Sequence, residues 1–497
     1  MDVIFLTTNQ SAISKSRIKL DRPFGSYLLS HVLKKHNYSC QVIDFLSISY
    51  DNNHNISDKK IKSILDLIVT EKTKILGLSL TFWTNPDINF ITEIINYVRK
   101  KFPKIKILAG GAISFVRIKP FANLLDGYVQ GYAENIILEY LDFLEGICKE
   151  PMFELELPYK VKIYKYSSYK RFHISNYDFL HYDNDFIFQG ESLMLESSRG
   201  CMFKCKFCDF QYLGKKKNDY IRDMNLIKNQ LLYQYEKYKT THYTLIDSTF
   251  NENVDKMKDF AEMIESLPFS PSFTAYIRYD LMARFPETIE LIERCNIKSA
   301  FFGIETFNKK NSMLIGKGFN ANPESKIFLE KISNRWSKKI TIHTNFIVGL
   351  PYESEEEILN SKQFVKNIGI PSWAFIPLYI RSNLSNQRFS TSEFDRNAFE
   401  YGFTFDSNGN WVHKETNWSF ERAKNFANSI FNYDDPNNEM YSVNPFHYFA
   451  PLITSGIYTI EDLVTKPQTI INWDEVKTKS LNQIDNYFIE MKNYYGQ

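Results

Sequence analysis

The sequence predicts a protein with two α/β units in series. A doubly wound parallel sheet over residues 1–148 is followed by a linker over 149–190, a partial (β/α)6 barrel over 191–385 and a mainly helical C-terminal region over 386–497. Three observations predict this. Short apolar runs alternate with amphipathic stretches through the first unit, as strands alternating with helices do. The alternation lapses in a Tyr-, Phe- and Lys-rich stretch and resumes at Leu193 for six further units, too few for an eight-fold barrel. After residue 385 no regular period continues.

In the first unit the expected strands are residues 3–6, 41–46, 75–80 and 105–108, with a last short one over 126–131. Helices are expected over 27–36, where Leu28, Leu29, Val32 and Leu33 share one face, and over 61–69, 88–101 and 134–144. Strands alternating with helices in this way imply a parallel sheet. The linker is expected to hold one or two short strands. In the second unit the expected strands are 193–196, 243–246, 272–276, 300–304, 341–346 and 373–376. Helices are expected near 419–431 and 481–494, and no repeat of fixed period is visible.

Composition narrows the function. The chain has 497 residues, 60 Lys and Arg against 58 Asp and Glu, 43% hydrophobic and 16% aromatic residues. A formal charge of +2 carries no strong nucleic-acid signal, and Lys215, Lys216 and Lys217 read as a short solvated block. No apolar run approaches the ~20 residues that span a bilayer, and the start lacks a signal-peptide pattern. A cytoplasmic protein without a membrane partner is expected. Six cysteines do not make a disulfide framework in a chain of this size. Three fall within eight positions, whereas Cys40, Cys148 and Cys295 are scattered, a pattern suited to a reducing compartment and one local metal site.

The informative stretch runs Ser197-Ser198-Arg199-Gly200-Cys201-Met202-Phe203-Lys204-Cys205-Lys206-Phe207-Cys208. Three thiolates at C-x3-C-x2-C can hold three irons of a [4Fe–4S] cluster, which usually takes four protein ligands, and leave the fourth iron open. The triplet follows the strand expected to end at Glu196, at the carboxyl mouth of the barrel, where barrel chemistry collects. A structural zinc site is the alternative. It needs four ligands, and no fourth Cys or His lies at zinc-finger spacing.

This motif resembles the radical S-adenosylmethionine (SAM) superfamily. The resemblance implies that the open iron chelates SAM and that an electron from the cluster cleaves it to methionine and a 5′-deoxyadenosyl radical. It also implies an electron donor such as a flavodoxin or ferredoxin. Phe207 takes the place of the aromatic that packs beside the adenine. Later landmarks resemble the family in order. Asp247, in Ile246-Asp247-Ser248-Thr249-Phe250-Asn251, is similar to an acidic strand end that lines the site. Arg278 and Asp280 are similar to an R-x-D element, and the resemblance implies a polar contact of Arg278 with SAM. Glu305, in Gly303-Ile304-Glu305-Thr306, resembles the carboxylate that meets the amino or ribose groups of SAM. Asn345 through Gly349-Leu350-Pro351-Tyr352-Glu353 resembles the turn bordering the adenine.

The first unit resembles the Rossmann-like cobalamin-binding domains of cobalamin-type radical SAM proteins. Ser79, in Gly77-Leu78-Ser79-Leu80-Thr81, and Gly110-Gly111, in Leu108-Ala109-Gly110-Gly111-Ala112, match the elements that hold the nucleotide tail. The segments Arg22 to Leu28 and Asp126 to Glu134 are also similar. The family's D-x-H-x-x-G motif would fall between Thr7 and Gly25, where no histidine occurs, so any bound cobalamin is expected to be His-off. The resemblance thus implies cobalamin-dependent methylation of an unactivated carbon. A radical isomerase, cyclase or oxidoreductase with a cobalamin-free scaffold is one alternative, and a zinc-stabilised binding protein is another.

Overall fold

The computed structural model describes residues 1–7, 12–13, 18–20, 22–45, 59–80, 88–111, 119–157, 159–165, 173–208, 220–318, 323–381, 392–430, 445–465 and 471–496. The expected readings of Leu46, Thr81, Ala112, Lys215 to Lys217 and most of the loop after the first strand lie outside the described residues.

The first sheet has seven strands. They are β1 (Val3–Thr7), β2 (Cys40–Ile43), β3 (Ile75–Ser79), β4 (Lys106–Gly110), β5 (Gly127–Gln130), β6 (Phe153–Glu156) and β7 (Val161–Lys165). Their order is β2-β1-β3-β4-β5-β7-β6. Every pairing is parallel except β6 with β7. Strands β1, β2 and β5 are buried at every position, the pattern of a sheet covered on both faces. Helices Phe24–Lys35, Lys59–Ile68, Ile88–Lys101 and Glu134–Leu144 connect them. The expected linker therefore contributes two strands to this sheet. The outer of the two, β6, is mostly exposed, with Phe153 and Leu155 facing solvent.

The second sheet has six parallel strands in sequence order. They are β8 (Leu193–Leu195), β9 (His242–Leu245), β10 (Ser272–Ile277), β11 (Ile297–Glu305), β12 (Thr341–Val348) and β13 (Ser372–Pro377). Helices Met224–Tyr238, Val254–Glu265, Glu287–Arg294, Pro323–Trp336 and Glu355–Asn367 cross over between strands. Ser354 starts the last of these with a reciprocal cap on Glu357. The expected partial (β/α)6 barrel is the observed one. Its outward side chains, among them Phe273, Phe302, Ile342 and Phe346, pack under the helices as one core.

The C-terminal region joins both units. A hairpin of Phe403–Phe405 and Trp411–His413 buries Trp411 completely, with its Nε1 donating to Leu378 O at 2.8 Å. Trp411 fills core, the role large aromatics most often play. Helix Pro445–Thr454 packs across β9 to β12. Helix Trp473–Tyr495 begins eight residues before its expected start, capped by the Asn472 side chain on Glu475 N at 3.2 Å. Its Val476, Ile484, Tyr487, Phe488 and Met491 belong to the core of the first sheet. Tyr487 Oη accepts from Asp44 N at 3.1 Å.

Candidate functional site

Strand β8 ends at Leu195, and the chain turns at once through Glu196 to Gly200 into the three cysteines. The turn is built around Asp247, which follows β9. Its carboxylate accepts from Ser197 N at 2.8 Å, Ser198 N at 3.0 Å, both serine hydroxyls at 2.6 Å and Lys256 Nζ at 3.0 Å. Asp247 and Lys256 have side chains of zero exposure. Burial would raise the Asp247 pKa, but Lys256 and the serines hold it below the usual carboxylate range. With its acceptor capacity taken by these donors, Asp247 secures the cysteine loop. The structure places this residue, expected at the site, against the loop that carries the cysteines.

Cys205 is buried, and Cys201 and Cys208 are half-buried. Cys201 Sγ lies 3.7 Å from Thr249 Oγ1, and Arg278 Nη1 donates toward Cys205 Sγ at 3.6 Å. The loop closes on itself through Cys208 N to Cys205 O at 3.0 Å. It rests on neighbouring segments through Lys206 N to Ile315 O at 3.2 Å and Phe394 N to Lys206 O at 3.0 Å. Among the described residues no three His, Cys, Asp or Glu side chains close on a single metal ion. A cluster spreads its ligands over several irons and suits three thiols beside a guanidinium, because a cation stabilises thiolate.

Glu305 ends β11 with φ of 67°, a left-handed conformation unusual for a residue with a side chain. The β11–β12 register slips between Gly303 and Glu305, which swings the carboxylate toward the mouth. Lys317 Nζ binds Glu305 Oε1 at 3.0 Å and also donates to Gly303 O. The same ammonium lies 5.9 Å from the Phe207 ring centre, so Phe207, Glu305 and Lys317 form one cluster. Asn345 Nδ2 reaches Glu305 Oε2 at 3.5 Å, and Asn345 Oδ1 is buried without a partner. An orphaned acceptor of this kind calls for a donor from outside the chain, and the amino group or ribose hydroxyls of SAM offer one.

Gly349, with φ of 96°, packs against the C-terminal region. A Cβ there would meet Trp411 and Ala423 at 2.9 Å, so the glycine admits the C-terminal hairpin and helix. The Glu353 carboxylate beyond it accepts from Thr306 Oγ1 at 2.9 Å, and burial pushes its pKa up to about 8.

Ser79 and Gly110 end β3 and β4 at the carboxyl edge of the first sheet, and Gly111 follows with φ of 113°. A Cβ at Gly111 would fall on the Leu80 carbonyl oxygen, so the chain's own packing requires this glycine. His31 lies elsewhere, its Nδ1 3.3 Å from Leu180 O and its Nε2 3.5 Å from Asp178. His36 Nδ1 meets Val32 O at 2.8 Å on its own helix.

Residues 195–365 match the profile of the radical SAM superfamily. They form a radical SAM domain. An uncharacterized methyltransferase of Synechocystis is 25% identical over 214 residues, 42% of this chain and 38% of that protein. The match therefore spans under two fifths of that relative's length. Two solved structures share the fold over nearly the whole chain. The radical SAM methyltransferase TsrM of Kitasatospora setae, with tryptophan and a SAM analogue bound, superposes with a TM-score of 0.63. The identity is 13%, covering 97% of this chain and 99% of that one. The cobalamin-dependent radical SAM enzyme OxsB, with aqua-cobalamin and SAM bound, gives a TM-score of 0.57. Its identity is 15%, covering 99% and 72% respectively. At these identities the likeness is one of fold. No helix among the described residues is long and apolar enough to cross a membrane.

The radical SAM domain also holds residues that the sequence reading left without a role. Lys317 stands in Gly316-Lys317-Gly318, and a lysine between two glycines twelve positions after Glu305 is a usable signal. Phe203 and Arg199 lie inside or beside the cysteine motif. Lys256 gives no signal, because its value comes from folding against Asp247.

Proposed function

We propose that this chain is a radical SAM enzyme that methylates an unactivated carbon with the help of cobalamin. Three thiols at the carboxyl mouth of the barrel, with a guanidinium beside one sulfur, carry the reading. Cys201, Cys205 and Cys208 would hold three irons of a [4Fe–4S] cluster. When bound, the cluster supplies the electron that cleaves SAM, and cobalamin carries the methyl group. Phe207, Glu305, Lys317 and Asn345 would bind and orient SAM. Ser79, Gly110 and Gly111 would hold the nucleotide tail of cobalamin at the edge of the first sheet. With His31 and His36 turned elsewhere, cobalt would carry no histidine from either position. The fold shared with TsrM and OxsB supports both cofactor assignments.

Anaerobic reconstitution with iron, sulfide, SAM and cobalamin tests the reading. The expected protein binds four irons, retains cobalamin and cleaves SAM, and Cys205→Ala loses both cluster and cleavage. Zinc in place of iron would sink the proposal. Cluster without cobalamin would leave a radical enzyme with a scaffold domain.

A further inference from the structure

We infer that Arg278 tunes the reduction potential of the cluster through Cys205, with Asp280 as the opposing charge. The inference rests on the radical SAM reading above but concerns a different property of the site. Arg278 follows β10, and its backbone is fixed on both sides by one side chain. Asn251 Oδ1 accepts from Arg278 N at 2.9 Å, and Asn251 Nδ2 donates to Arg278 O at 2.8 Å. The guanidinium is then held in three directions. Its Nε and Nη2 donate to Asp280 at 3.0 and 2.6 Å, and its Cζ lies over the Phe203 ring, 3.8 Å from the ring centre. Its Nη1 points at Cys205 Sγ at 3.6 Å. Phe203 sits between Cys201 and Cys205, so the stacked ring ties the cation to the ligand loop itself.

This arrangement differs from the sequence expectation, which set Arg278 against SAM. The fork edge of the guanidinium is committed to Asp280 and one face to an aromatic ring. Of the other N–H groups, one on Nη1 is aimed at the Cys205 sulfur. Reduction of a [4Fe–4S]2+ cluster to the 1+ state adds one electron and no proton, so its charge becomes more negative by one. A nearby cation and an N–H donor to sulfur stabilise the reduced form, and a nearby anion does the reverse. Arg278 thus raises the midpoint potential, and Asp280 limits the rise. The geometry makes Arg278 a positioning and tuning residue and not a ligand.

The test is a redox titration of the reconstituted holoprotein against dithionite, followed by electron paramagnetic resonance of the reduced cluster. Arg278→Gln should move the midpoint to more negative potential, and Asp280→Asn should move it to more positive potential. Arg278→Lys should fall between wild type and Arg278→Gln. Iron content should stay at the wild-type level, and the opposite signs distinguish tuning from general damage. If Arg278→Gln fails to fold, the Asp280→Asn shift alone decides. Unmoved midpoints, or shifts of one sign in both variants, would overturn the inference and leave the radical SAM reading intact. Wild-type protein that assembles no cluster would overturn both.

Discussion

Arg199 Nη1 lies 2.6 Å from Glu134 Oε1, while its Nε and Nη2 hold Glu196 at 2.7 and 2.8 Å. Arg199 stands two positions before Cys201, and Glu134 opens helix Glu134–Leu144 of the first unit. The cluster loop is therefore clamped to the domain assigned to cobalamin. Burial opposes the charge on Arg199, but the two carboxylates outweigh it and raise its pKa well above the ordinary value.

Arg199→Met should lower thermal stability substantially, because it leaves two nearly buried carboxylates without their cation. Breaking one side of such a pair costs roughly 3–5 kcal/mol. Glu134→Gln should cost less, since Glu196 still neutralises the arginine. Thermal unfolding of both variants is the check, and an Arg199→Met protein that melts with wild type would show that the clamp carries no stability.

Lys317→Met and Glu305→Gln should weaken SAM binding while leaving iron content unchanged. A charge-assisted contact is worth roughly 1.5–3 kcal/mol, or about tenfold or more in affinity. Calorimetry of SAM on the reconstituted variants measures this. Wild-type affinity in both would remove the Phe207–Glu305–Lys317 cluster from the SAM site.

Glu353 should make stability fall as pH rises. Its pKa is about 8 in the fold against an ordinary 4.5, so between those values the native chain keeps a proton that the unfolded chain has released. Stability then declines through that window, by roughly 1.4 kcal/mol per pH unit at most. Glu353→Gln should flatten the curve between pH 5 and 8. Parallel curves for variant and wild type would contradict the assignment.

Gly349→Ala should destabilise by roughly 1–3 kcal/mol, from backbone strain and the clash with Trp411. Adding Trp411→Ala should give a total smaller than the sum of the two single effects, because the bulk that meets the new methyl is gone. Strict additivity in denaturant titrations would show that the two residues do not press on each other.

Where one residue type dictates a chemistry, the sequence was legible. Buried strands such as 75–79, and the 300–304 stretch of β11, announce themselves by apolar runs, and C-x3-C-x2-C announces a cluster by the scarcity of cysteine elsewhere. Positions whose meaning depends on distant partners were not legible. Asp247 stands at a strand end that suggests a ligand, yet Lys256 and two serines consume its carboxylate. Arg278 stands out in the sequence, but only folding shows it aimed at Cys205. Strands β6 and β7 were expected only as one or two short strands of the linker, because the exposed edge strand β6 leaves no hydrophobic alternation to read.

The helix Trp473–Tyr495 places Tyr487 against Asp44 and Tyr495 against Gln41, contacts that span more than 440 residues of chain. During synthesis the first domain emerges long before the helix that completes its core. At typical elongation rates of about 5–20 residues per second, the interval is roughly 20–90 s. Throughout that time the face awaiting Tyr487, Phe488 and Met491 is uncovered. The core of the first sheet is thus completed only once residues 473–495 have been made.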